Sequence, residues 1–502
     1  MAANNGCQEL CANKRNDNHV STFLMNLFLT RINYAGSVFL SRVRCHRNWL
    51  QIYIFLCLDM GLKGVFYFAL ATTINLNIIE ISCRFNNDGS MQLPEEYPDL
   101  VSNESPQEGS GDENSPLELV MLPRKFQDKA RCLDGSPFGY YIRRSNSQIN
   151  SMKWLLFLMG GGACVTTKDC IERKSSPRGW GSSTVWNSTF LPGRDFPGLV
   201  AMHDILSDSP TDNSDFFDYN HVYLQYCSGD LWTGTRSSSD RNGLWFSGHN
   251  NIKAAISHLN ETANFTTASH VLVMGVSAGG WGLFNNIDYI REKWIARSAI
   301  VKGAPVDGFI LPGSVTIYQL YPYGLFFPIN GAMTKYFSSW WRSALDESCR
   351  KSTWRWRRHK CLDASYVSKH VDSSLFVIQN RFDKFIMENF LRAPLSSASN
   401  SKTRRFTKWY GDLTVNGLTS NAMSAAGRNK GNGLFVPSCL NHAANFCIKN
   451  GTTTNGKTLK EMLPKWFLET DPTIASSYQE VDQCNDEENT SLPCNNNCKC
   501  SV

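Results

Sequence analysis

The sequence predicts an α/β protein with a mostly parallel central sheet flanked by helices. Three observations lead there. Apolar strand-like runs recur after about residue 120: WLLFLM (154–159), HVYLQY (221–226), VLVMGV (271–276), SAIVKG (298–303) and LFVIQ (375–379). Their apolar residues fall on consecutive positions, which suits strands covered on both faces. Helix-compatible stretches and turn signals separate the runs, as in strand–helix–strand units. Third, VLVMG breaks into a small-residue turn, Gly275-Val276-Ser277-Ala278-Gly279, and an apolar helix-compatible stretch follows.

Along the chain, the first 48 residues are polar and basic, and Trp49 to Cys83 is largely apolar but interrupted by Asp59 and Lys63. Residues 1–83 therefore read as an export or signal-anchor region. A signal starting at Met60 would run through Lys63 into GVFYFALATTI. The alternative is an anchor over roughly residues 64–82, about 19 residues and just long enough to cross a bilayer. Cleavage and secretion is the leading expectation. Residues 84–119 are acidic and rich in Pro, Ser, Gly and Asn. Such a segment buries too little surface to offset its ordering entropy, so a disordered linker is expected. The α/β domain is expected over 120–480, with a polar, cysteine-dense tail over 481–502.

Composition narrows the class. The chain has 502 residues, 42% of them hydrophobic and 19% charged, which is globular rather than disordered. A formal net charge of +6 is modest at this length and gives no nucleic-acid footprint. Among 17 cysteines there is no paired zinc-type spacing, so disulfides in an oxidising compartment are expected. Glycosylation sequons at Asn103, Asn187, Asn260, Asn264, Asn450 and Asn489 point the same way.

The Gly275–Gly279 turn has the G-x-S-x-G pattern in strand–turn–helix context, which projects a serine hydroxyl outward. Serine is a weak nucleophile and needs an adjacent base oriented by a carboxylate. On such an elbow the chain order is serine, acid, histidine. Only His359, His370 and His442 follow Ser277. His359 lies in the basic run CRKSTWRWRRHKC, and His370 precedes the best acid, leaving His442 in FVPSCLNH. Asp383 follows LFVIQNRF, past the C-terminal end of a strand, where ligand-facing groups collect. Asp307 in VKGAPVDG is the runner-up, and Asp288 sits on the helix leaving the elbow. The amide of Ala278 and the glycine loop in FLMGGGAC (157–164) are the candidate oxyanion donors.

Several segments in order resemble the Notum/pectin-acetylesterase family of secreted serine esterases. They are RCLDGSPFGYY (131–141), WLLFLMGGGAC (154–164), YLQYCSGDLWTG (223–234), GVSAGG (275–280), FVIQNRFD (376–383), FVPSCLNH (435–442) and KTLKEMLPKW (457–466). The resemblance implies an α/β-hydrolase fold and a Ser277–Asp383–His442 triad. It further implies oxyanion amides at Gly161, Gly162 and Ala278, disulfides Cys132–Cys227 and Cys164–Cys170, and no metal or organic cofactor. The segments look closest to the Notum branch, which removes palmitoleate from a serine of Wnt proteins. An extracellular polysaccharide O-acetylesterase and an inactive lipid- or glycan-binding relative are the alternatives. The chain departs from the Notum branch at Gly162 and Ala163, where that branch has Trp-Tyr. Trp281 replaces a small residue, and Met159 stands where the family usually has Glu. Phe309, Ile310, Phe326 and Phe327 are candidate pocket lining. Separately, Arg350, Lys351, Arg355, Arg357, Arg358 and Lys360 lie between Cys349 and Cys361, interleaved with Trp354 and Trp356, and suggest glycosaminoglycan binding.

Overall fold

The computed structural model describes residues 38–46, 49–57, 67–75, 115–190, 204–310, 329–395, 400–448, 451–483, 493–495 and 497–498. The chain divides into two compact units, Met1–Pro98 and Asp99–Val502. In the first, β1 (Val38–His46), β2 (Trp49–Cys57) and β3 (Tyr67–Asn75) form an antiparallel sheet. Of the expected signal or anchor segment, β3 is described, whereas Met60 and residues 76–82 lie outside the described residues. Among the described residues no helix is long and apolar enough to cross a membrane.

The second unit begins earlier than the sequence suggests. Most of the expected linker lies outside the described residues, but its last three positions already belong to β4 (Leu117–Met121). Leu117 is fully buried and pairs with Phe190. The polar stretch before it masked so short a strand.

The following strands are β5 (Gly139–Arg143), β6 (Lys153–Leu158), β7 (Thr189–Phe190), β8 (Asn220–Leu224), β9 (His270–Val276) and β10 (Ile300–Val306). After them come β11 (Phe376–Ile378), β12 (Phe382–Asp383), β13 (Gly433–Val436), β14 (Leu440–Asn441) and β15 (Gln479–Val481). Ten of these form one sheet in the order β15-β13-β11-β10-β9-β6-β8-β5-β4-β7. It is parallel from β15 to β8 and antiparallel through β5, β4 and β7. The five apolar runs of the sequence coincide with β6, β8, β9, β10 and β11. All but the first residue of β6 and of β9 are buried, which is why their patterns do not alternate.

The longer helices are α1 (Thr167–Lys174), α2 (Gly248–Ala263), α3 (Ala278–Trp294), α4 (Ile329–Trp340), α5 (Ser401–Ser420) and α6 (Leu459–Leu468). Local rules set their starts. Thr166 caps α1 through the Asp169 amide at 3.1 Å, and Thr458 with Glu461 forms a capping box on α6. β12 and β14 pair in parallel beside the main sheet, Phe382 with Leu440 and Asp383 with Asn441. That small ladder brings two distant loops to the C-terminal end of β9.

The expected tail over 481–502 is tied into the domain in its described part. Asp482 is buried and accepts from the Ser438 amide at 2.8 Å, and Asn495 Nδ2 donates to the Thr453 carbonyl at 2.8 Å.

Candidate active site

Ser277 joins β9 to α3 with φ 53° and ψ −117°, a backbone conformation costly for a residue with a side chain. Its amide is held by the Val306 carbonyl at 2.8 Å, and only a small residue fits two positions on. A Cβ on Gly279 would lie 2.1 Å from the Leu158 carbonyl oxygen, so α3 can start hard against β6 only with glycine there. The turn leaves Ser277 mostly buried, at the end of the most central parallel strands.

Ser277 Oγ lies 2.9 Å from His442 Nε2, and His442 Nδ1 lies 2.9 Å from Asp383 Oδ2. Asp383 also accepts from the Ile386 amide at 3.0 Å and faces Gln379 Nε2 at 3.4 Å. The ring of Phe385 stacks on the imidazole with centroids 5.0 Å apart. Burial disfavours charge on His442, but the Asp383 carboxylate and its hydrogen bond, then Asp307, raise its pKa above the ordinary value.

Asp307 is fully buried behind this line and serves neither serine nor imidazole directly. Its Oδ1 accepts from the Asn380 amide at 2.7 Å. Its Oδ2 accepts from Asn380 Nδ2 at 2.7 Å and from the Ala443 amide at 2.6 Å. One carboxylate thus clamps the acid-bearing loop to the histidine-bearing loop. Burial first, then the like charge of Asp383, pushes its pKa well above the carboxylate range, while His442 and the amide donors pull it back. Asp307, Asp383 and His442 hold potential ligand atoms within 4.8 Å of one another. Hydrogen bonds within the protein already engage those atoms.

On the other side of Ser277 lies the glycine loop. Gly160 packs against the elbow, where a Cβ would meet the Val276 carbonyl at 2.8 Å and the Ser277 Cβ at 3.1 Å. Gly161 and Gly162 take φ of 127° and 64°, angles that L side chains rarely adopt. Among the described residues, the amides of Gly161, Gly162 and Ala278 donate to no backbone acceptor outside regular elements. Ala278 opens α3, where helical amides lack internal partners and the helix dipole favours negative charge. Arg173, on α1, is buried behind the loop and donates Nη2–H to the Gly161 carbonyl at 2.5 Å. The Cys164–Cys170 disulfide joins the loop to α1.

Other sequence candidates fall elsewhere. His370 Nδ1 meets Ser352 Oγ at 2.9 Å, and His359 lies in the 3-10 segment Arg355–Leu362. Asp288 accepts from the Asp372 and Ser373 amides. Trp281 Nε1 donates to the Leu362 carbonyl at 2.5 Å. Met159 is fully buried, and its carbonyl accepts from Trp232 Nε1 at 2.9 Å. Phe309 is buried, Ile310 packs against the Phe382 cluster, and Phe326 and Phe327 lie outside the described residues. Disulfides join Cys132 to Cys227, Cys349 to Cys361 and Cys439 to Cys498. Among the sequons, Asn187 and Asn264 are exposed and Asn260 is half-buried; Asn103, Asn450 and Asn489 lie outside the described residues.

Residue order alone did not reveal Arg173, Asn380 or Phe385. Arg173 stands three residues after Cys170, so helical spacing puts it on the face that the disulfide turns toward the glycine loop.

Fold and site together define a scaffold for serine-dependent acyl transfer: a nucleophile elbow, an imidazole, a carboxylate and a bank of open amides on an α/β-hydrolase-like sheet. Residues 110–499 match the pectinacetylesterase family, and the chain belongs to it. A palmitoleoyl-protein carboxylesterase NOTUM of Schmidtea mediterranea is 28% identical over 359 residues, covering 68% of this chain and 62% of that protein. Pectin acetylesterase 11 of Arabidopsis thaliana is 28% identical over 401 residues, covering 76% of this chain and 92% of that protein. The crystal structure of the Wnt deacylase Notum from Drosophila shares the fold. Its TM-score is 0.61 at 23% identity, covering 77% of this chain and all of that one. The named relatives are carboxylic-ester hydrolases.

Proposed function

We propose that this chain is a secreted serine carboxylesterase that removes a fatty acyl group, palmitoleoyl, from a serine of Wnt proteins and so restrains Wnt signalling. The observation that carries the enzyme reading is the unbroken Ser277–His442–Asp383 line. Ser277 Oγ attacks the ester carbonyl as its proton passes to His442 Nε2, and the carbonyl π electrons move to oxygen. The Gly161, Gly162 and Ala278 amides receive that oxyanion. Collapse expels the alcohol, which takes the proton from His442, and leaves an acyl-serine. Water repeats the sequence and releases the acid. Asp383 holds the imidazole tautomer with Nδ1–H toward itself.

The lipid reading draws support from the apolar surround of the base: Phe385 on the imidazole, with Ile310 and Phe385 packed on the Phe382 cluster. Burying a methylene yields about 0.8 kcal/mol, so a sixteen-carbon chain has on the order of 10 kcal/mol to offer. An acetyl group offers about one methyl. A second reading, a polysaccharide O-acetylesterase, draws on the 92% coverage of the Arabidopsis relative and on the missing aromatic pair at Gly162 and Ala163. Octanoyl and acetyl esters of one chromogenic alcohol separate the two. The deacylase reading expects octanoyl to be preferred; preference for acetyl hands the case to the second. Ser277→Ala should abolish both activities.

A partner surface belongs to the same proposal. The segment closed by Cys349–Cys361 exposes Trp354 and Trp356 at 77% and 67%. Glu347 pairs with Arg350 and Lys351, and Arg357 lies over the Trp356 ring at 4.3 Å. We read this stapled cationic face as a binding surface for sulfated glycosaminoglycans. Replacing Arg355, Arg357 and Arg358 with alanine should lower the salt needed to elute the protein from heparin; unchanged elution counts against it.

A further inference from the structure

We infer that Arg173 is a positioning residue for the oxyanion site: its buried guanidinium fixes and polarises the Gly161–Gly162 peptide so that the Gly162 N–H faces the reacting oxygen. The inference rests on the esterase reading above and adds to it the residue that sets the donor.

Arg173 is 5% exposed, although it sits on a short helix with four other charged residues, TKDCIERK. Its guanidinium lies between two ring faces, 5.4 Å from Trp180 and 5.3 Å from Tyr226. Nε–H donates to the Trp180 carbonyl at 3.1 Å and Nη2–H to the Gly161 carbonyl at 2.5 Å. Among the described residues its hydrogen bonds go to these carbonyls, and it forms no ion pair. A buried cation with no carboxylate in direct contact is costly, although the Asp169 carboxyl feels its charge from farther off. A structural tether for α1 would not call for one, because the Cys164–Cys170 disulfide already ties that helix to the loop.

Peptide geometry turns the contact into a directional statement. In a planar trans peptide the C=O and the following N–H point to opposite sides. Holding the Gly161 oxygen against Arg173 therefore turns the Gly162 N–H away from it. Among the described residues that amide donates to no backbone acceptor outside regular elements, so it is available to a ligand oxygen. A side chain at Gly161 would crowd Trp180 Nε1 at 3.3 Å and Arg173 Nη2 at 3.4 Å, so glycine lets the guanidinium come close enough to hold the carbonyl. A positive charge on the carbonyl side also draws electron density from the amide, making its N–H a stronger donor in a site of low dielectric.

The test compares native protein with Arg173→Met, Arg173→Lys and Ser277→Ala on a chromogenic octanoyl ester. It adds inhibition by an alkyl trifluoromethyl ketone, whose adduct with Ser277 carries an oxyanion, and a thermal melt. Arg173→Met should lose about 100-fold in kcat, the scale of one oxyanion donor, with KM little changed. Ketone affinity should fall by a similar factor. Native kcat in a folded Arg173→Met, or a kcat loss with undiminished ketone affinity, overturns the inference. If Arg173→Met does not fold, Arg173→Lys decides, since it keeps a cation but not the two-point grip. A kcat loss at steady KM then supports the inference, and native kinetics overturn it. Full activity in Ser277→Ala would instead remove the esterase reading itself, so the two failures are distinguishable.

Discussion

The glycine loop after β6 and the histidine loop after β13 reach Ser277 from opposite sides of β9 in the sheet. Both are held by a disulfide and by a buried charge, but the charges are opposite. The glycine loop is gripped by a cation, Arg173, which takes a carbonyl oxygen. The histidine loop is gripped by Asp307, whose two oxygens only accept N–H bonds, from Asn380 and Ala443, as an ionised carboxylate does. The sign matches what each loop must leave free. A loop meant to receive an oxyanion keeps its N–H groups and surrenders its oxygens. A loop meant to present a base gains from a negative charge nearby, which favours the imidazolium that forms when serine gives up its proton.

The comparison can be broken at several strengths. Asp383→Asn should cost about 10⁴-fold in kcat, because the imidazole loses the acceptor that fixes its tautomer. The staples come next. Cys439 and Cys498 are 59 residues apart, while Cys164 and Cys170 are six apart. Chain entropy alone then assigns about 4 kcal/mol of stability to the first and about 2 to the second. Denaturant melts of Cys498→Ser and Cys170→Ser should show the larger loss on the histidine side, and equal losses would erase that contrast. The smallest expected effect is a shift in pH dependence. In the proposed reaction neutral His442 accepts the serine proton, so kcat/KM should fall as pH drops through its raised pKa. The groups whose fields reach it are Asp383 and Asp307, while burial keeps neighbouring Tyr410 neutral. Burial pushes Asp307 up to about 7, so its charge supports the imidazolium above that pH; Asp307→Asn removes it and should move the acid limb of the profile to lower pH. A limb that stays in place would reduce Asp307 to a mechanical clamp.

Much of this was readable in the chain and some was not, for physical reasons. Strands buried on both faces leave unbroken apolar runs, so β6, β8, β9, β10 and β11 stood out. The elbow showed itself through small residues that close packing demands, as at Gly279. Residue order singled out three side chains that the structure sets in one hydrogen-bonded line. Asp307 reads in sequence only as the runner-up acid, because its partners Asn380 and Ala443 are remote along the chain. Arg173 looked like one charge in a polar helix, since burial of its head is decided by Trp180 and Tyr226. Leu117 was hidden in a polar neighbourhood for a similar reason: its partner, Phe190, lies far along the chain.

The bond between Cys439 and Cys498 also orders events in time. During synthesis the serine turn leaves the ribosome long before the cysteine that anchors the loop bearing its base. A nascent chain therefore carries Ser277 before the late segment can close the cross-link, and closing it requires an oxidant. In a reducing cytosol the same polypeptide would lack this cross-link, leaving the histidine loop to the Asp307 clamp and the β12–β14 ladder alone.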